Sequence, residues 1–374
     1  MHTDTNDFHF NGKCERIFSR GCLQCVEMRM ILNQPVAVAD NTTMDRSRFG
    51  LDLTLQDFEP SRVPMTDEEV EEKYESIRER SGVLTIMGTE YRAQLSDIVD
   101  IKELGRGSFG VVRKAHFKQT KTLMAVKIIP ITGNAENNKR TVMDMDVIMR
   151  SHNCPNIVRC YGCFVFESEV RICMELMSMC LDKLLKLAIH FPENIVANIT
   201  RSVLLALEYL KEKENIMHRD IKPSNILIDH SGTIKLCDFG IAGRLIDSRR
   251  AETNTKGCTA YLAPERVASS DCEYGVRADV WSLGITLIEL AVGTHPYDGC
   301  TTDFELLTKI INDPPPLLTP AQCFSQTFST FIARCLMKRP IDRPSYHELL
   351  EDPFIQGSTT DTASVAKWYS ALCA

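Results

Sequence analysis

No stretch of the 374-residue sequence strings together the roughly 18 uninterrupted apolar residues that a membrane span needs. The first residues, Met1-His2-Thr3-Asp4, are polar and acidic and hold no apolar signal core, so secretion is not expected. Positive charge is not in excess: 43 Lys and Arg against 50 Asp and Glu leave a net charge of −7. That balance argues against a nucleic-acid surface and otherwise speaks only of solubility. There is no internal repeat, and the one biased run, Pro314–Pro316, reads as a rigid loop. The expectation is a monomer of the cytoplasm, with the nucleus as a second location and neither membrane nor nucleic acid as a partner.

Paired metal knuckles are missing as well. Cys22-x-x-Cys25 and Cys160-x-x-Cys163 have knuckle spacing, but neither has a second Cys or His pair nearby, which argues against zinc. The 15 cysteines are scattered through apolar segments such as Ile172-Cys173-Met174, as buried cytosolic thiols are, and do not form a disulfide framework.

What is present is ordinary globular composition, 44% hydrophobic and 25% charged. Residues 1–64 show no sustained period and read as a largely disordered arm. Within it Arg46-Ser-Arg48-Phe-Gly-Leu51-Asp-Leu53-Thr-Leu55 pairs basic residues with alternating leucines, which from pattern alone is most simply an accident of an unstructured tail. Thr66 followed by acids opens a helix to about Arg80, and Val83–Tyr91 reads as a hairpin around Gly88, so 65–97 forms an extension. Strands are expected at Ile98–Leu104, Val111–His116, Leu123–Ile129, Val158–Phe166 and Val170–Leu176, with a helix at Lys139–Ser151. After Leu181 the chain turns helical, with long helices at Asn194–Lys211 and Ala278–Val292. The fold class is α+β: a small antiparallel-sheet lobe carrying one helix, a larger mainly helical lobe, and a cleft between them.

The stretch from Met217 to Gly240 carries the chemistry. It reads as a loop, a strand (Ile226–Asp229), a turn, a second strand (Thr233–Cys237) and then Asp238-Phe239-Gly240. Two hairpin-linked strands set Asp220, Asn225 and Asp238 around one point. Phosphoryl transfer needs that arrangement: one carboxylate to orient the accepting hydroxyl, an amide oxygen and a second carboxylate to hold Mg²⁺. Leu104-Gly105-Arg-Gly107-Ser108-Phe-Gly110-Val111-Val112 adds a G-x-G-x-x-G loop. Dinucleotide folds place that spacing between strand and helix, whereas here a strand follows.

Ala125-Val126-Lys127 puts a lysine on a predicted buried strand, where an ammonium needs partners. Nucleotide phosphates and a carboxylate from the following helix would supply them. Asp144 is the best-aligned carboxylate, with Asp146 as the alternate. Glu265 of Ala263-Pro-Glu265 is expected to pair with Arg343, and Asp279 to brace the catalytic loop.

With these motifs in order, residues 98–355 resemble the eukaryotic protein kinase domain, divided into lobes at 98–176 and 177–355. Ile172-Cys-Met-Glu-Leu-Met177, His218–Asn225, Lys235–Gly240 and Gly243–Ser248 resemble the MAP kinase kinases, dual-specificity enzymes that phosphorylate a Thr and a Tyr of a MAP kinase. Gly257–Glu265 and Thr302–Lys309 resemble the stress-activated branch that targets c-Jun N-terminal kinase, with p38-directed relatives as the alternative.

The resemblance implies ATP and Mg²⁺ as cofactors and assigns roles by position. Asp220 is the base, Lys222 lies beside the transferred phosphoryl, Lys127 holds the phosphates, and Asn225 and Asp238 bind Mg²⁺. Leu104, Gly105, Gly107, Ser108, Gly110, Val112 and Ala125 face the nucleotide; Met174 is the gatekeeper, and Glu175–Met177 meet adenine through the backbone. Kinases generally carry Glu at the position of Asp144, so the shorter Asp requires a closer helix.

The resemblance also turns Arg46, Arg48, Leu51 and Leu53 into a MAP kinase docking motif. It makes 356–374, with its stripe Val365, Trp368 and Leu372, a docking helix for an upstream MAP kinase kinase kinase, packing on its own lobe being the competing reading. The family carries activating phosphosites as Ser-x-Ala-x-Thr; Ser248-Arg-Arg-Ala-Glu-Thr253 has one residue more, so Ser248 and Thr253 are expected, with Thr255 as a substitute for the second. Cys258 stands where Thr is usual, a weaker hydrogen-bonding group. Competing readings are a catalytically silent docking scaffold and a serine/threonine kinase of another family.

Overall fold

Alternating apolar strands have to bury one face, and here they do so in one antiparallel sheet. A computed structural model of the protein describes residues 67–107, 110–131, 135–239, 259–268, 275, 277–358 and 361–373. The N-terminal arm, with its proposed docking residues Arg46, Arg48, Leu51 and Leu53, lies outside them, as does the Thr66 cap. Helix α1 (Asp67–Glu79) leads into the hairpin β1 (Val83–Ile86) and β2 (Thr89–Arg92). Strands β3 (Ile98–Gly107), β4 (Gly110–Phe117), β5 (Leu123–Pro130), β6 (Cys160–Val165) and β7 (Glu169–Glu175) form a five-stranded sheet in the order β3-β4-β5-β7-β6. The hairpin covers the sheet's outer face: Leu84 and Ile86 pack with Ala115, Phe117, Met124, Val126 and Phe164 in a separate small core.

Helix α2 (Ala135–Arg150) lies between β5 and β6 and starts four residues before the expected Lys139. Its first turn, Ala-Glu-Asn-Asn, carries no apolar residue larger than Ala, so no periodic signal marks it. The strand expected at Val158 begins only at Cys160, because 156–158 is occupied elsewhere. Val158 N–H donates to Leu236 O at 3.0 Å, and Leu236 N–H donates to Asn156 O at 2.8 Å.

The second lobe is helical: α3 (Leu181–Ala188), α4 (Glu193–Tyr209), α5 (Arg277–Val292), α6 (Asp303–Asn312), α7 (Gln326–Cys335) and α8 (Thr362–Cys373), with shorter turns between. Helix α5 is apolar nearly all round and forms the centre of this lobe, with Trp281, Leu283 and Leu287 fully buried. Helix α4 reaches Lys211 as expected, but its last residues change from α to π: Leu210–Glu214 is a π-turn, stopped by left-handed Asn215 (φ 53°). A small sheet of β8 (Met179–Cys180), β9 (Ile226–Ile228) and β10 (Ile234–Leu236), in the order β10-β9-β8, carries the catalytic hairpin on this lobe.

Candidate active site

Sheet register alone places one wall of the cleft. Val112 pairs with Lys127, Lys127 with Ile172, and Ala125 with Met174. Cross-strand partners share a face, and so do residues two apart on one strand. Val112, Ala125, Lys127 and Met174 therefore line the same face, and Gly105, opposite Val112, continues it. A side-chain carbon added at Gly105 or Gly107 would meet no atom within 4 Å, so the backbone there is open to a large anionic group. Gly110 is different: at φ +143° an added Cβ would lie 2.0 Å from Ile128 O, so only glycine lets β4 start this close to β5. Ser108 lies outside the described residues.

Lys127 is buried (9% exposed), with its Nζ 3.0 Å from Asp144 Oδ2 and 2.8 Å from Asp238 Oδ1. Burial opposes the ammonium charge, but the two carboxylates outweigh it and hold Lys127 protonated well above the ordinary lysine range. Asp144 is equally buried; its carboxyl is raised by desolvation, against the pull of Lys127. The alternate carboxylate, Asp146, points elsewhere, to Lys73 of α1 and to Arg150 at 2.6 Å. The shorter Asp144 thus reaches Lys127, and α2 sits close enough to allow it.

On the opposite wall Asn225 Nδ2 donates to Asp220 O and to Asp220 Oδ2, both at 2.8 Å, and Lys222 Nζ lies 2.7 Å from the same Oδ2. With its Nδ2 so committed, Asn225 has its Oδ1 to offer a cation. Asp238 takes a left-handed φ of 65°, while Phe239 behind it is fully buried against His218, ring centroids 5.2 Å apart. His218 Nε2 lies 3.1 Å from Cys237 O. Asp279 accepts from the His218 N–H (2.9 Å) and the Arg219 N–H (2.7 Å), bracing the loop as expected. The Glu265–Arg343 pair is present and bidentate, with both contacts at 2.7 Å.

This set fits ATP and Mg²⁺: an open glycine backbone, a buried ammonium, and two oxygen donors for a cation, Asp238 beside that ammonium and Asn225 Oδ1 on the opposite wall. At the adenine end the expectation is narrowed. The N–H of Glu175 donates to Arg159 O at 2.9 Å, and its carboxylate accepts from Lys235 Nζ and from the Arg159 N–H, both at 2.6 Å. Only the Glu175 carbonyl is left for a base, along with the backbone of Met177.

Sequence reasoning missed Lys183 on α3, whose Nζ donates to Leu104 O at 2.9 Å across the mouth of the cleft. It also left open which way the C-terminal stripe faces. In α8, Val365 and Tyr369 are buried and Trp368 packs edge-on to Phe191 at 4.7 Å, so the stripe turns inward onto its own lobe. Tyr369, buried beside Trp368, contributes more than the expected Leu372. The expected phosphosites Ser248 and Thr253, the substitute Thr255, and Cys258 lie outside the described residues. Arg219, at φ 66°, has a buried Nη2 with no partner among the described residues; burial, then the like charge of Arg266, lowers its guanidinium to about 10.

Comparison with known proteins agrees with this site. The protein kinase domain family matches residues 98–355. The dual specificity mitogen-activated protein kinase kinase hemipterous of Drosophila melanogaster is 50% identical over 316 residues, 84% of this chain and 27% of that protein. Dual specificity mitogen-activated protein kinase kinase 7 of Homo sapiens is 46% identical over 333 residues, 88% of this chain and 78% of that protein. The mek-1 kinase kinase of Caenorhabditis elegans is 45% identical over 313 residues, 83% of this chain and 88% of that protein. The chain therefore belongs to the dual-specificity MAP kinase kinases, ATP- and Mg²⁺-dependent enzymes that act on MAP kinases and answer to upstream kinases.

Proposed function

We propose that this kinase phosphorylates the Thr and the Tyr in the activation loop of a stress-activated MAP kinase of the c-Jun N-terminal kinase type. The observation that carries its chemistry is the convergence of Lys127 and Asp144 from the sheet lobe with Asp238, Asp220, Lys222 and Asn225 from the other, Lys127 touching Asp238. Asp220 orients the acceptor hydroxyl and takes its proton as the new O–P bond forms and the bond from the γ-phosphorus to the departing ADP oxygen breaks. Lys222, on the same carboxylate oxygen, sits where the negative charge of the moving group develops. Lys127, Asn225 and Asp238 hold the nucleotide phosphates and metal. When bound, ATP supplies the phosphoryl group and Mg²⁺ neutralises its charge.

The choice of branch rests on the resemblance of Gly257–Glu265 and Thr302–Lys309 to the c-Jun N-terminal kinase activators; a p38-type target is the second reading. The enzyme works as a monomer of the cytoplasm, and it is switched on by phosphorylation of Ser248 and Thr253. Arg219 supports the switch, because its buried Nη2, with no partner among the described residues, is a ready donor for a phosphate. The inward stripe of α8 supports the competing reading, packing on its own lobe, and leaves an upstream kinase only the outer face of that helix.

The deciding experiment offers kinase-dead c-Jun N-terminal kinase and p38 side by side to the upstream-activated enzyme, with modified residues mapped by mass spectrometry. Labelling of Thr and Tyr in the first is expected. Preferential labelling of p38 would transfer the assignment to that branch. Labelling of neither, with ATP bound, would overturn the proposal.

A further inference from the structure

The position of α2 decides whether Asp144 reaches Lys127, and the shorter Asp leaves little slack. The back of this helix is held by a chain of alternating charges. Lys73 of α1 contacts Asp146; Asp146 Oδ2 lies 2.6 Å from Arg150 Nη2; Arg150 Nη1 lies 2.8 Å from Glu214 Oε2, at the end of the π-turn in the other lobe. Asp146 and Glu214 are mostly buried, their side chains 14% and 10% exposed, so neither carboxylate is a solvated surface charge. Each has a cation, and the four charges sum to zero.

Asp144 and Asp146 are two residues apart, about 200° around a helix, so they face opposite ways. A rigid helix cannot rotate Asp144 off Lys127 without dragging Asp146 from Lys73 of α1 and Arg150, four residues on in the same helix, from Glu214. The lower end of α2 is tied by Arg150 to Glu214. The loop that follows runs alongside β10, through Asn156 and Val158 on Leu236. Helix α2 is thereby fixed to the lobe that carries Asp220 and Asn225, not only to its own sheet.

We propose that Lys73, Asp146, Arg150 and Glu214 form an inter-lobe ionic latch that positions α2 for phosphoryl transfer. They are positioning residues, acting through Asp144 and Lys127. The proposal rests on the reading of that buried ion pair as part of the nucleotide site. Arg150 is half exposed while its carboxylate partners are mostly buried, so losing a partner also costs stability, and the latch is read as turnover per folded molecule.

The test uses the full chain activated by an upstream kinase, with R150E, E214K, the double variant that restores the pair in reverse, K73M, and D144N as control. Each single charge change is expected to lower kcat at saturating ATP roughly three- to tenfold, in the range of coupled neighbouring residues. The KM for the MAP kinase should barely move, while the melting temperature falls as a mostly buried carboxylate loses its cation. The reversed pair is expected to recover kcat above the product of the two single losses but short of the parent, because R150E also faces the Asp146 carboxylate. Should either reversal fail to fold, R150Q and E214Q, which keep the volume, carry the same expectation of lowered kcat. Full turnover in the single variants, or a double variant no better than the product of the two losses, would overturn the latch. Losses that follow melting temperature and spare kcat per folded molecule would also overturn it, leaving a mere stabiliser. Undiminished turnover in D144N would remove the ion-pair reading itself, an outcome distinct from failure of the latch.

Discussion

Lys127 Nζ stands 3.0 Å from Asp144 Oδ2, two groups that the chain separates by 17 residues and that burial alone would keep apart. The ammonium also has Asp238 at 2.8 Å, and this asymmetry orders the consequences of mutation. D144N leaves Lys127 charged with one carboxylate remaining. K127M leaves two carboxylates facing each other across a methionine, an uncompensated buried arrangement. K127M is expected to cost about 3–5 kcal/mol and D144N about 1–2 kcal/mol. Both should lower kcat at least tenfold. Denaturant titration gives the order, and equal or inverted losses would show that Asp238 does not serve as the second partner.

Arg343 uses its whole guanidinium. Nε donates to Met337 O (2.7 Å), Nη1 to Glu265 and Arg277 O (2.7 and 2.9 Å), and Nη2 to Glu265 and Lys338 O (2.7 and 3.1 Å). The side chain is fully enclosed against Trp281, 5.2 Å from the ring. A lysine offers three donors from a single point and cannot reproduce the fork. R343K is expected to destabilise by about 2–4 kcal/mol, nearly as much as R343M, because Glu265 and three carbonyls lose directed partners in both. Calorimetric unfolding measures the pair; an R343K enzyme melting with the parent would show that charge alone, without the fork, holds Glu265.

How much of this could be read from the sequence depends on distance along the chain. Asp220, Lys222 and Asn225 lie within one loop, and the hairpin that brings Asp238 to them is local, so spacing alone assembled them. Asp144 was reachable only as one of two carboxylates two positions apart, and choosing between them needed the orientation of α2. The Glu175–Lys235, Lys183–Leu104 and Arg150–Glu214 contacts join residues at least 60 apart with nothing periodic about them. No pattern on either segment announces the other. An apolar stripe such as Val365–Leu372 states that something covers it and not what does.

The cover, in the case of α8, includes Gly232 in the β9–β10 turn. At φ +81° its added Cβ would lie 2.2 Å from Thr362 O and 2.6 Å from Ala366 N. A larger residue there must either distort the hairpin between Asn225 and Asp238 or push α8 away. Trp368 reports which, since the chain has only two tryptophans and the other, Trp281, is fully buried in α5. G232V is expected to shift tryptophan emission to the red, as Trp368 leaves Phe191, and to cost about 2 kcal/mol or more. Unshifted emission with lost activity would locate the strain in the hairpin and not in α8.

His295 gives the protein an acid-sensitive point away from the chemistry. It sits between Tyr261 and Tyr297, ring centroids 5.0 and 5.9 Å away, and burial lowers its imidazole to about 4, with the carboxylate of Asp298 only partly opposing this. The unfolded chain binds a proton near the ordinary histidine value of about 6.5, whereas the folded protein refuses it until about pH 4. Between those values the unfolded state holds more protons, so stability rises with pH. The contribution is complete above about pH 6.5 and is lost as pH falls toward 4. H295F keeps an aromatic ring in the same place and has nothing to titrate. Its melting temperature is expected to fall less steeply than the parent's from pH 6.5 to pH 4, so that the difference between the two shifts in favour of H295F toward acid. Parallel curves across that window would mean that His295 protonates in place, and that the packing between Tyr261 and Tyr297 does not exclude its charge.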